Sequence, residues 1–146
     1  MLRDPSLVPL SHQHQHGLAL CVMMRRSLAA DGSPENIAAW ARKTIDRYEV
    51  ELANHFEIEE ELLFPACGPV PIVVELIAEH RKLEGFVARL REQHSAELLE
   101  QFCALLTSHI RREENDLFEQ MQRDLPRADL DRLGAEIDRR AVRVCL

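Results

Sequence analysis

The sequence lacks basic clusters and long apolar runs. It contains 18 Lys and Arg residues against 25 Asp and Glu residues, which gives a formal net charge of −7 at pH 7. Nucleic-acid surfaces need clustered cations that neutralise phosphates. A membrane-spanning helix needs a run of about 18 apolar residues, and the sequence contains none. We therefore expect no nucleic-acid partner and no membrane insertion.

Cysteine pairs and a signal-peptide pattern are also lacking. The cysteines lie far apart and form no C-x-x-C motif, and residues 1–10 contain no apolar run of signal-peptide length. A chain of 146 residues can bury one core without disulfides. We expect a single domain in the cytoplasm with reduced thiols. The four cysteines are Cys21, Cys67, Cys103 and Cys145.

Apolar residues recur at three-to-four spacing in four long segments, which is typical of amphipathic helices. Proline- and glycine-containing breaks separate the segments, and Ser33 and Ser95 are typical N-cap residues. Short connections favour antiparallel neighbours. The sequence therefore predicts an all-α fold in one domain, 1–146. It is an antiparallel up-down-up-down four-helix bundle over about residues 11–125, with a short extra C-terminal helix at about 128–140.

The second and fourth predicted helices share a motif. Both read H-x-x-x-E-E-x-x-L-F, one copy beginning at His55 and the other at His109. Each copy follows a helix that carries a histidine on its apolar face, which is His14 in the first case and His80 in the second. The chain is therefore predicted to consist of two related helical hairpins.

Three histidines are followed four residues later by a glutamate, so each pair lies on one face of a helix. Apolar residues flank the pairs at helical spacing. A single pair of this kind is often only a surface contact, but a repeated set on core faces would bury charges at high cost unless cations compensated them. The set predicts a metal site. Its pairs are His55 with Glu59, His80 with Glu84, and His109 with Glu113.

The first helix offers three candidate ligands, because His12, His14 and His16 alternate along it. His14 falls in line with the apolar residues Leu18 and Cys21, whereas His16 lies at the edge of that stripe. We favour His14 and place His16 second, and the choice among the three stays open.

Together these motifs resemble the hemerythrin-like family, also called the HHE cation-binding domain. The likeness lies in P-L-S from Pro9, H-F-x-x-E-E-x-x-L-F-P from His55, E-H-x-x-L from Glu79, and H-x-x-x-E-E-x-x-L-F from His109. These motifs cover about residues 9–125, which is nearly the whole chain.

The resemblance implies a non-haem di-iron centre. Its ligands would be His14 and His55 on one iron, His80 and His109 on the other, Glu59 and Glu113 as bridges, and Glu84 in addition. Glu84 stands where oxygen-carrying hemerythrins have another histidine, and the last helix has H-x-x-x-E where carriers have H-x-x-x-x-D. Added carboxylate charge favours the ferric state, so the site is more similar to oxidant-activating or sensing centres than to reversible carriers.

The predicted function is a metal-binding protein with two iron ions that binds or reacts with dioxygen, peroxide or nitric oxide in sensing or detoxification. Histidine and carboxylate ligands also suit Mn and Zn. One alternative is an iron or redox sensor that acts through metal-dependent folding and a protein partner. Another is a helical interaction module with a vestigial site. A homo-oligomer is also compatible with the sequence.

Overall fold

The described part of the chain, residues 2–144 of a computed structural model, is helical and contains no strand. The helices are α1 (Val8–Ala30), α2 (34–67), α3 (Pro71–Glu92), α4 (96–124) and α5 (Arg127–Arg140), preceded by a 3-10 turn at Pro5–Leu7. The all-α prediction is confirmed. Within this range no helix has both the length and the apolar content to cross a membrane. Cys145, expected to be a reduced thiol, lies outside the described residues.

The starts of α2 and α4 follow from their serine caps. The Ser33 side chain accepts a hydrogen bond from the Asn36 amide at 3.2 Å, and Pro34 occupies the first helical position. Ser95 likewise accepts a bond from the Leu98 amide at 3.2 Å. Each serine partners an amide that the first helical turn leaves without a carbonyl.

The helices that carry the repeated motif, α2 and α4, each change to π geometry within it. The π turns span Glu59–Leu63 and Glu113–Leu117, and α2 contains another at Tyr48–Leu52. Both motif turns begin at the first glutamate of the E-E doublet. Single π turns often mark functional sites because the extra residue redirects the following side chains. The sequence repeat is therefore also a repeat of local geometry.

Helix α2 extends past Pro65 to Cys67, although a proline usually ends a helix at the preceding residue. Pro65 follows a π turn and occupies an early position of the last α turn, where its missing amide hydrogen is tolerated. The chain leaves the helix at Gly68, whose φ of 75° is readily adopted by glycine.

Two clusters of buried apolar side chains fill the interior. The first cluster includes Leu20 on α1, Leu52 on α2, Leu83 on α3 and Ile110 on α4. The second cluster includes Leu10 on α1, Leu63 on α2, Leu76 on α3 and Leu117 on α4. On each of these helices, residues of the His/Glu set lie in sequence between the two clusters. The polar residues thus form a layer within an otherwise apolar core.

Helix α5 covers the second cluster. Leu130, Leu133 and Ile137 are buried, and the latter two belong to that cluster. Gly134 lies against the 3-10 turn so closely that an added Cβ would be 2.7 Å from Ser6. One face of the C-terminal helix is therefore buried against the bundle.

Candidate metal centre

Six buried side chains from four helices converge in the polar layer. They form two groups, His14, His55, Glu59 and Glu113, and Glu59, His80, His109 and Glu113. Within each group one ligand atom per residue lies within 4.8 Å of all the others. Each of the six residues is at most 3% exposed, and the two glutamates belong to both groups.

The four imidazole rings direct their Nε2 atoms toward the two carboxylates. The separations are 3.3 Å from His14 to Glu113, 3.1 Å from His55 to Glu59 and 3.0 Å from His80 to Glu59, and His109 is in close contact with Glu113. Donor and acceptor atoms of both residue types therefore face one small volume, as the ligands of adjacent cations do.

Several of these atoms are buried without a hydrogen-bond partner. They are Nε2 of His14 and of His55, Oε2 of Glu59, and both carboxylate oxygens of Glu113. A buried polar atom that makes no bond typically costs about 1–3 kcal/mol, and more when it is charged. Metal cations accept electron pairs from all of these atoms at once, so the residues present fit a metal site.

The contact between His80 and His109 also indicates a metal site. Their Nε2 atoms lie 3.2 Å apart, while their Nδ1 atoms face the carboxylates of Glu60 at 2.7 Å and Glu79 at 2.9 Å. In neutral rings whose Nδ1–H groups donate to these carboxylates, the two Nε2 lone pairs face each other. This arrangement is favourable only with a cation or a proton between them.

Comparison with known families agrees with the geometry. The family model described as hemerythrin HHE cation binding domain matches residues 8–121. This chain belongs to the hemerythrin HHE cation-binding domain family. No curated protein and no solved structure matches the chain significantly. All six converging residues lie in the matched range, and membership of the HHE family implies that the chain binds a metal cation.

Each of the four converging histidines of this HHE domain has an acceptor at Nδ1. The pairs are His14 with Glu114 at 2.6 Å, His55 with Gln13 at 2.8 Å, His80 with Glu60 at 2.7 Å and His109 with Glu79 at 2.9 Å. Such partners fix the tautomer and the ring orientation of a metal-ligating histidine and raise its basicity. The outer partners thus leave Nε2 as the free ligand atom on all four rings.

None of these outer partners was predicted from the sequence, although Glu60 turns toward His80. The signals were present, because Glu60 and Glu114 are the second glutamates of the repeated doublets. The remaining partners, Gln13 and Glu79, each directly precede a converging histidine.

Burial lowers the pKa of the converging histidines, whereas neighbouring carboxylates raise it. Burial alone would lower the pKa of His14, but the adjacent carboxylates of Glu113 and Glu114 outweigh it and raise the pKa to about 9. The pKa of His55 is held well below its ordinary value by burial and by the neighbouring His14. Burial also lowers the pKa of His80, to about 3. Two imidazoles are therefore neutral at pH 7, as metal ligation requires.

The two carboxylates also differ. Burial raises the pKa of Glu59 well above its ordinary value, and the adjacent negative charge of Glu113 adds to the effect. Burial would raise the pKa of Glu113 too, but His109 outweighs it and holds the pKa well below the ordinary value. Bound cations would offset the burial and the repulsion that raise the pKa of Glu59, and would favour its charged form.

Glu84, the seventh predicted ligand, is not brought into the cluster. Its side chain is 29% exposed and accepts bonds from Arg81 at 2.6 and 2.8 Å. Glu84 lines a surface groove together with Phe56, whose ring stacks on His80. The Glu84 carboxylate pairs with the Arg81 guanidinium instead of facing the cluster.

On α1 the structure brings His14 into the cluster and leaves the other two histidines outside it. His12 is exposed. His16 bonds to Glu51 through Nδ1 at 2.6 Å, and Arg47 lies 3.4 Å from the same carboxylate oxygen. The apolar stripe that favoured His14 in the sequence therefore identified the histidine that faces the polar layer.

Proposed function

We propose that this HHE domain is a non-haem di-iron protein that binds or reacts with dioxygen, peroxide or nitric oxide in sensing or detoxification. The observation that carries the proposal is the pair of buried His/Glu groups that share Glu59 and Glu113 and leave atoms of both carboxylates without partners. Bound iron supplies an electron-transfer and Lewis-acid centre. Manganese and zinc suit the same donor atoms, so iron rests on the family resemblance.

The proposed ligand assignment follows the two groups. His14 and His55 would hold one ion, His80 and His109 the other, and both carboxylates would bridge, because Glu59 and Glu113 belong to both groups. Glu84 is omitted from this set because its carboxylate pairs with Arg81.

Aromatic rings line the centre and would limit the entry of water. Phe56 stacks on His80 with ring centroids 4.0 Å apart, and Phe118 stacks on His14 at 5.4 Å. Phe64 also stacks on His80, at 5.7 Å. Apolar walls control solvent access and lower the local dielectric constant. The aromatic rings would therefore restrict access to the centre.

The order of the two apolar clusters supports an antiparallel up-down-up-down arrangement of α1 to α4, with α5 as the extra C-terminal helix. Along α1 and α3 the chain passes from the second cluster through the polar layer to the first, and along α2 and α4 it passes in the opposite order. This alternation is expected if each helix runs opposite to the one before it.

The cytoplasm is the proposed location. Cys21, Cys67 and Cys103 are free thiols, and thiols persist in reducing compartments.

A sensor that responds to metal-dependent folding is the second candidate. The observation that favours it is the set of unpartnered buried atoms on four residues, which destabilises the metal-free protein. Loss of metal would then loosen the helices, and a protein partner would respond to the change.

Metal analysis of protein expressed in iron-supplemented medium tests the leading proposal. We expect about two iron ions per chain and near-ultraviolet absorption that changes on exposure to air or peroxide. Glu113→Ala should abolish both, because it removes one shared carboxylate. Glu100→Ala is the matched control, since Glu100 lies on the same helix but bonds to Arg25 at the surface.

Iron well below one ion per chain in the wild-type protein, with an unchanged helical spectrum, would contradict the proposal. A helical interaction module with a vestigial site would then account for the fold. Loss of helical signal on chelation, with no response to oxidants, would instead favour the folding-dependent sensor.

A further inference from the structure

A chain of two amide side chains leads from His55 to the C-terminal segment. Gln13 is 2% exposed, and its Oε1 lies 2.8 Å from Nδ1 of His55. Its Nε2 donates to the backbone oxygen of Val142 at 3.0 Å and to Oδ1 of Asn54 at 3.2 Å. The acceptor and both donor hydrogens of the Gln13 amide are therefore directed at specific partners.

Asn54 holds the backbone at the point where α5 ends. Its Nδ2 donates to the Arg140 oxygen at 2.9 Å, and its Oδ1 accepts from the Val142 amide at 2.9 Å. The last carbonyls of a helix have no partner within the helix, so the first of these bonds satisfies one of them. Because Asn54 directly precedes His55 on α2, the C-terminal segment is attached next to the centre.

The other three histidines have outer partners of a different kind. Those partners are carboxylates that pair with arginines, Glu114 with Arg3, Glu60 with Arg81 and Glu79 with Arg112. A carboxylate cannot donate the bonds that Gln13 makes to Asn54 and Val142. Gln13 can therefore connect a converging histidine to the C-terminal segment, which the three carboxylate partners cannot do in this way.

We propose that Gln13 is a positioning residue for His55 and that Gln13 and Asn54 couple metal binding to docking of residues 140–142. This inference rests on the proposed function. Metal at Nε2 of His55 favours the tautomer with a proton on Nδ1, which is the donor that Gln13 Oε1 accepts. Fixing the amide in this orientation directs its Nε2 toward Asn54 and Val142. By linkage, a docked segment must raise metal affinity by the factor by which metal stabilises docking.

Hydrogen exchange of the backbone amides of α5 and residues 141–144, with and without iron, tests the coupling. In the full-length wild-type protein we expect iron to slow exchange in this segment roughly fivefold or more. Asn54→Ala should remove that response and, by reciprocity, weaken iron binding by a similar factor. Its helical spectrum should remain, because it removes only side-chain bonds to Gln13 and to the C-terminal segment.

Gln13→Met removes all three amide bonds at nearly constant volume. We expect it to weaken iron binding roughly 10- to 100-fold. It should also shift the ¹⁵N resonances of the His55 ring in the metal-free protein toward the other tautomer, which a merely structural role would not do. Glu79→Gln is the matched control. Glu79 is the hydrogen-bond partner of His109 Nδ1 and contacts Arg112, but it does not contact the C-terminal segment. Once saturated with iron, this variant should still slow exchange in α5.

The outcomes separate this inference from the proposed function. A wild-type protein that binds no iron overturns both. Iron binding with equal α5 exchange in the two states overturns the coupling alone, as does an Asn54→Ala protein that responds like the wild type. An unchanged His55 tautomer in Gln13→Met overturns the positioning role.

Discussion

At the scale of single residues, the metal centre depends on which nitrogen each histidine presents. Four acceptors occupy the Nδ1 atoms, three of them carboxylates and one an amide, and this leaves the Nε2 atoms facing Glu59 and Glu113. A glutamate four residues after a histidine is therefore not sufficient to bring the carboxylate into the cluster. The direction of its side chain and the cations near it also matter.

Glu84→Gln tests this distinction. Because Glu84 pairs with Arg81 at the surface, we expect the variant to keep the wild-type metal content, with a change in unfolding free energy of about 0–1 kcal/mol. Glu59→Gln, which neutralises a fully buried shared carboxylate, should lose most of the metal. Elemental analysis and urea denaturation of both variants measure the effects. A matching loss of metal from Glu84→Gln would restore it to the ligand set.

The six converging residues could be predicted from the sequence because each lies on an apolar stripe and four of them repeat at fixed spacing. The pairing of each outer partner with its histidine could not, since Glu60 and Gln13 reach their histidines from other helices. These contacts depend on the offset between helices, which sequence periodicity does not give. Glu84 stays outside the cluster although its spacing from His80 matches that of the other two His/Glu pairs.

At the scale of elements, helix boundaries followed caps and prolines except at Pro65, where a preceding π turn let α2 continue. The π turns themselves could not be predicted from apolar periodicity. The position at which α5 docks could not be predicted either, because its three buried residues make only a short apolar stripe. Gly134 gives the more specific signal, since it allows close contact with the 3-10 turn.

Gly134→Ala should destabilise the protein by about 1–3 kcal/mol, because the new Cβ would lie 2.7 Å from Cα and Cβ of Ser6. Gly85→Ala is the matched control. A Cβ at Gly85 meets nothing within 4 Å, so the same substitution there should raise the unfolding free energy by about 0.5–1 kcal/mol. Chemical denaturation of the two variants compares them. Equal effects would mean that the contact between α5 and the 3-10 turn does not constrain the fold.

Asp4 links the start of α5 to the 3-10 turn and should make this link depend on pH. Hydrogen bonds from Arg127 at 2.6 and 2.9 Å, together with bonds from Ser6, hold the pKa of Asp4 well below its ordinary value of 3.8. A carboxylate with a lowered pKa contributes stability that is complete above the ordinary pKa. The contribution is lost as the pH falls from that value toward the folded-state pKa.

Asp4→Asn keeps a capping oxygen for the Ser6 amide but removes the charge. At pH 7 we expect it to lower the unfolding free energy by about 0.5–1 kcal/mol, because the pair is partly exposed. The difference from the wild type should shrink as the pH falls below about 4. Urea titrations of both proteins across that range measure it. A difference that stays constant with pH would show that the charge makes no contribution.

At the scale of the whole molecule, the polar layer divides an apolar core and places partly charged, unpartnered groups in its middle. Such a layer costs stability unless it is compensated. Metal that binds only the folded state adds stability by mass action, about 4 kcal/mol at a free concentration a thousand times the dissociation constant. Fold and metal content are therefore expected to depend on each other.

Removal of metal with a chelator should lower the melting temperature by roughly 10 °C, given about 2–4 °C per kcal/mol for a chain of this size. Thermal denaturation followed by circular dichroism, before and after chelation, measures the shift. Glu113→Ala should melt at the same temperature in both conditions. Equal melting temperatures for loaded and stripped wild-type protein would show that the polar layer is stable on its own.

A crystal structure of the iron-loaded protein, with anomalous diffraction recorded at the iron absorption edge, tests the central claim most directly. We expect two anomalous peaks in the polar layer, one bonded to Nε2 of His14 and of His55, the other to Nε2 of His80 and of His109. Carboxylate oxygens of Glu59 and Glu113 should lie between the peaks. A single peak, or no peak among these six side chains, would contradict a di-iron centre.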